Sequence, residues 1–148
     1  MKLANRVLAL FFILGFISVF LTLQVRAESN SGNIYENFLV TKSKAEQGDV
    51  TAQSVLGIMY YNGEGVPQDN MKAVHWFTKA AEQGEVKAQS LLGIMYYKGE
   101  GVSQNYVKAY VLLNLAASQG NTTSKYNKEI LLTQMSSSQI EEGQKLSK

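Results

Sequence analysis

Apolar positions between residues 45 and 120 recur at helical spacing and are interrupted at regular intervals by glycine. Ala52, Leu56, Met59 and Tyr60 follow the i, i+4, i+7, i+8 spacing of one buried helix face. The run stops at Gly63-Glu64-Gly65, where glycine tolerates the positive φ of a helix C-terminus. Pro67, through its fixed φ, and Asp69, through its capping oxygen, suit the start of a second helix. That helix is expected to bury Ala73, Trp76, Phe77, Ala80 and Ala81 and to stop at Gly84. No stretch alternates with period two, so the chain reads as all-α.

The pattern then repeats. Ala45-Glu46-Gln47-Gly48 returns 36 residues later as Ala81-Glu82-Gln83-Gly84 and, more loosely, as Ala117-Ser118-Gln119-Gly120. Ala52-Gln53-Ser54-Val55-Leu56-Gly57-Ile58-Met59-Tyr60-Tyr61 matches the run from Ala88 to Tyr97, and Gly63-Glu64-Gly65-Val66 matches Gly99-Glu100-Gly101-Val102. A duplication this close marks a repeat array. Gly57 and Gly93 sit inside the first helices, where glycine costs about 1 kcal/mol relative to alanine. Their recurrence, with alanines at 73, 80, 81 and at 109, 116, 117, predicts close approach of two antiparallel helices. One such hairpin cannot bury its apolar face alone, so neighbours must stack.

The boundaries follow. Repeats occupy 45–80 and 81–116, an N-terminal capping helix 34–44, and a partial third repeat with a C-terminal capping helix 117–148. In that last segment 122–135 takes the place of a first helix. Ser138-Gln139-Ile140-Glu141 has the Ser-x-x-Glu form of a capping box for a final helix to about Leu146. Residues 28–33 are a polar linker. Before them, Lys2 and Arg6, the apolar run from Val7 to Leu23, and small residues at Val25 and Ala27 make 1–27 a secretory signal peptide, cut after Ala27. The other reading of that run is an uncleaved membrane anchor.

Cleavage changes the electrostatic picture. The chain carries 14 basic and 12 acidic residues, a formal net charge of +2. Removing Lys2, Arg6 and Arg26 leaves 11 basic against 12 acidic residues, so no basic surplus remains to bind nucleic acid. The absence of cysteine excludes disulfides and thiolate metal sites.

The unit resembles the Sel-one-like repeat (SLR) family, relatives of the tetratricopeptide repeat. The match is Ala-x-x-x-Leu-Gly-x-x-Tyr at Ala52, Leu56, Gly57 and Tyr60, and again at Ala88, Leu92, Gly93 and Tyr96. It continues through Gly-x-Gly-Val, Lys72-Ala73 and Trp76-Phe77, and closes on Ala-Ala-Glu-Gln-Gly at 80–84. The tail around Gln134-Met135-Ser136 and Gln139-Ile140-Glu141-Glu142 is similar to the closing helix of many bacterial members. The resemblance implies a right-handed α-solenoid that scaffolds protein complexes, frequently exported and frequently bacterial. The chain departs from the pattern at Leu112-Leu113, which replace Trp76-Phe77, and at Lys128-Glu129, which stand where Leu56-Gly57 would recur.

Chemistry-bearing residues are sparse. His75 is the single histidine, so a metal role has no partner ligand. Glu64 and Glu100 are copies of one turn position, not the paired carboxylates of a glycosidase. Some relatives are labelled β-lactamases, and a serine acyl-enzyme of that type needs lysine three residues after its nucleophile. No serine meets this condition; Thr41 before Lys44 and Thr122 before Lys125 do, both in cap segments. The Gly-x-Gly turns follow no strand and are not nucleotide loops.

One stripe remains. Thr51, Ser54, Ile58 and Tyr61, with their copies Lys87, Ser90, Ile94 and Tyr97, lie beside the core face of the first helices, and Lys98 edges them. By the resemblance these positions line a concave face; the competing reading packs Ile58 and Tyr61 against the next repeat. The expectation is a non-catalytic module, without metal or cofactor, binding a peptide or partner protein there. It would be secreted or periplasmic, touching membrane only through its signal segment. The alternatives are a cell-wall-directed hydrolase, betrayed by a serine or threonine against a lysine in a cleft, and a passive spacer.

Overall fold

A computed structural model describes residues 32–147. The proposed signal peptide and its cleavage site lie outside them. Among the described residues there are seven helices and no strand. Helix α1 covers 32–46, α2 Val50–Asn62, α3 Asn70–Glu82, α4 Val86–Lys98, α5 Tyr106–Ser118, α6 Thr122–Leu132 and α7 Ser137–Leu146.

Helix starts are written in local side-chain chemistry. Asp49, Asp69, Glu85, Asn105 and Asn121 precede α2 to α6, and each accepts a hydrogen bond from a backbone N–H of the first turn. Pro67 lies two residues ahead of its capping aspartate, in the turn itself. The first helices stop on Gly63 and Gly99, both in the left-handed region. Met59 and Met95 carbonyls there receive the next two N–H groups.

The expected close approach is present. A β-carbon on Gly57 would lie 2.5 Å from the Phe77 ring, and one on Gly93 would lie 2.9 Å from Leu113 Cγ. Phe77, Leu113 and the alanines at 73, 80, 109 and 116 are wholly buried, so α2 packs on α3 and α4 on α5. Stacking between repeats uses a glutamine ladder. Gln83 Nε2 donates to Gln53 Oε1 (2.7 Å) and Gln119 Nε2 to Gln89 Oε1 (2.9 Å), while Gln53 and Gln89 donate to the Ala45 and Ala81 carbonyls. Full satisfaction is what permits two glutamines to be buried.

Helix α1 is a lone second helix. Its Ile34 carbonyl stands 2.8 Å from where a Gly65 β-carbon would be, and 36 residues on the Asn70 carbonyl meets Gly101 in the same way. It begins by residue 32, earlier than the expected 34, and Phe38 sets its ring edge-on to Tyr60 at 5.7 Å. At the other end two expectations are corrected. Helix α6 ends at Leu132, not 135, and the capping box of α7 is Ser136 with Gln139, not Ser138 with Glu141. Register is decided by packing: Met135 is buried beside Ile140, and this pair staples the helix entry when Ser136 is the cap. Gly143 of α7 then lies against the Tyr110 ring of α5.

Candidate protein-binding surface

The first-helix stripe is divided by the stacking of repeats. Ser54 and Ser90 are buried, which corrects their expected place on an open surface. Ser54 Oγ donates to Glu85 Oε2 (3.0 Å), the cap of α4, and Ser90 Oγ accepts from Ser124 Oγ (2.7 Å) of α6. A hydroxyl facing the next first helix is satisfied there and is withdrawn from any ligand. Ile58 and Ile94 are half-buried against the two core clusters.

The tyrosines are half-buried too, with their hydroxyls held across the repeat boundary. Tyr61 OH donates to Glu100 Oε2 (2.9 Å), which, with partial burial, holds the phenol above its usual pKa. Lys98 Nζ is 3.5 Å from the other Glu100 oxygen. Tyr97 OH accepts from Gln134 Nε2 (2.7 Å), and its ring lies 5.9 Å from that of Tyr106. Thr51, Lys87 and Lys98 are exposed. Of the nine residues, three are exposed, the two isoleucines and two tyrosines are half-buried, and the two serines are enclosed.

Glu64 and Glu100 occupy one sequence position but differ in surroundings. Glu64 is exposed and bonded to Asn62 of its own turn, whereas Glu100 joins Tyr61 and Lys98. A copied turn gives both glutamates the same local sequence and does not reveal which copy has a preceding tyrosine to receive. Lysines 72 and 108 lie over the Tyr60 and Tyr96 rings, each at 5.3 Å, a repeated cation–π contact on the other side of the first helices.

Three clefts adjoin these helices. One of about 330 Å³ lies between α3 and α5, with Leu92 and Tyr96 of α4, Leu112, and Leu146 of α7 among its lining. Leu112 stands where the preceding repeat carries the bulkier Trp76, and the smaller side chain leaves room at this position. A second of about 500 Å³ lies between the start of α5 and α7 and is edged by Gln104, Lys108, Gln139 and Glu142. The third, of about 280 Å³, lies between α1 and α2 and has both Thr41 and Lys44 on its wall. No hydrogen bond joins those two side chains among the described residues. Thr122 is exposed, His75 is exposed beside Trp76, and no His, Asp or Glu group of metal-binding size forms among the described residues.

Stacked helix pairs with capped ends define an α-solenoid. Residues 50–85 and 86–121 each match the Sel1 repeat profile, with the same 36-residue period as the duplication and a phase five residues later. The chain belongs to the Sel1-repeat (SLR) family. It is similar to the protective antigen c5321 of uropathogenic Escherichia coli, an SLR fold, with TM-score 0.74 and 32% identity over 76% of this chain and 24% of that one. A Sel1 repeat protein from Oxalobacter formigenes is similar at TM-score 0.63 and 39% identity, over 65% of this chain and 28% of that one. Cysteine-rich protein B of Helicobacter pylori follows at TM-score 0.56 and 26% identity, over 59% and 65%. The chain thus spans about a quarter of the length of the first two. Comparison with curated protein sequences finds no significant match. Sel1-repeat proteins are generally protein-interaction scaffolds and typically not enzymes.

Proposed function

We propose that this protein is an exported binding module that holds a peptide segment or partner domain on the concave face formed by its first helices. One observation carries the reading: Tyr61 and Tyr97 recur in register, each with its hydroxyl fixed by the next repeat, on helices that also present exposed Thr51, Lys87 and Lys98. Fixed tyrosines offer contact area at little further entropic cost, and the lysines around them suit a partner with acidic groups. Thr41 and Lys44 share a cleft, which is the feature a hydrolase would need. They lack the mutual hydrogen bond and supporting motifs of an activated nucleophile.

Two measurements test this reading. A photo-crosslinking residue at Lys87 or Lys98 should give adducts in the native cell, whereas one at Lys79 on α3 should not; adducts from Lys79 alone would refute the first-helix face. Export is tested separately. N-terminal sequencing of the exported protein should begin at Glu28, and a chain still beginning at Met1 would make the first segment an anchor.

A further inference from the structure

The two ends of the stack are finished differently. Each second helix inside the array carries three residues on which its own first helix rests: Ala73, Phe77 and Ala80 in α3, and Ala109, Leu113 and Ala116 in α5, all wholly buried. In α1, 36 residues before α3, the same three positions are Asn37, Thr41 and Lys44. Among the described residues no first helix precedes α1 to rest on them; Asn37 and Lys44 are exposed, and Thr41 is buried between them. They line the 280 Å³ cleft between α1 and α2, together with Val40 and Val55, which are 49% and 39% exposed.

We infer that this N-terminal edge is a seat for an amphipathic helix of a partner protein, bound in the place of a first helix. The cleft is continuous with the chain's own stacking interface: the equivalent surface one repeat on is occupied by α2. That interior copy also specifies the occupant. The phenyl of Phe77 forces glycine at 57 of the helix resting on it, but Thr41 is smaller, so the partner helix carries a leucine-sized side chain there. Glu85 accepts the Ser54 hydroxyl, and Asp49, its counterpart, lines the cleft for a serine or threonine of the partner. Lys44 replaces Ala80 and has no ion pair among the described residues, which adds a preference for a nearby carboxylate. Thr51 borders both surfaces, but Tyr61, Lys87, Tyr97 and Lys98 do not line this cleft, so either can fail without the other.

The test is a specificity exchange. Two stapled, fluorescein-labelled peptides with the sequence of α2 (Val50–Asn62) are used, one native and one carrying Gly57→Leu. Anisotropy with the purified protein should show the Gly57→Leu peptide binding at least about tenfold more tightly, a difference of about 1.4 kcal/mol. Thr41→Phe, which installs the interior residue, should reverse the order. Val40→Glu with Val55→Glu should abolish binding of both peptides while leaving the melting temperature unchanged, since both valines are exposed. The inference is overturned if neither peptide binds, if Thr41→Phe leaves the preference unaltered, or if the double glutamate variant binds normally. It is equally overturned if the wild-type protein sediments as a dimer that the same glutamates dissociate, because the occupant is then a second copy.

Discussion

Phe77→Ala should destabilise the domain by about 3–5 kcal/mol, the range for deleting a buried aromatic ring. Phe77 has no exposed surface and sits at the point where α2 and α3 come closest. Urea denaturation measures the change as a shifted midpoint at unchanged slope. Leu146→Ala, at a side chain 61% exposed on the last turn of α7, should cost less than about 0.5 kcal/mol. Equal losses in the two variants would refute the packing described. A second substitution sharpens the test. Gly57→Ala in the wild-type background brings a methyl into the Phe77 ring and should destabilise, despite a helix-propensity gain of about 1 kcal/mol. In the Phe77→Ala background the same methyl enters vacated space and should stabilise. A reversal of sign within one double-mutant cycle is the signature of direct contact.

Gly101→Ala should be the most damaging change outside the apolar core, at about 3 kcal/mol or more. Two costs coincide. Gly101 has φ 70°, where a β-carbon costs about 1–2 kcal/mol. That β-carbon would also collide with the backbone carbonyl of Asn70 at the start of α3, which cannot rotate aside as a side chain would. Gly120→Ala separates the terms: its φ is 90°, but nothing lies within 4 Å of the added carbon, so only the conformational cost applies. Thermal denaturation of the two variants should therefore differ clearly. If they lose the same stability, the second glycine of the Gly-x-Gly turn serves turn geometry alone and does not set how closely repeats approach.

That second glycine illustrates how much of the site was legible. Its recurrence at 65 and 101 was plain in the sequence, and a turn explained it; the approach of the preceding helix to that turn was not. The candidate stripe behaved similarly. Helical periodicity placed Thr51, Ser54, Ile58 and Tyr61 on one side of α2, and they are there. Ser54 nevertheless faces Glu85 and is buried, while Thr51, three residues earlier, is exposed. Gln53 and Gln89 were visible as repeated residues without a role. Their signal was available, since a polar residue conserved between copies within an apolar run needs a partner, and each finds one 30 residues on.

The sequence by itself determined the unit and its ends. A 36-residue duplication, helical spacing, an Asp, Glu or Asn before helices α2 to α6 and glycine after α2 and α4 are local properties, set by backbone hydrogen bonding within a few residues. Small residues at 57, 73 and 80 also declared which faces meet within a hairpin. Tertiary structure alone decided what covers each remaining face. The rotation between successive hairpins enclosed Ser54 and Ser90, tied Tyr61 to Glu100, left Leu112 beside an open cleft, and gave Ser136 the cap that Ser138 could equally have supplied. Periodicity fixes which side chains share a face of a helix; it carries no information about the neighbour that face will meet, because that neighbour is set by packing summed over the whole stack.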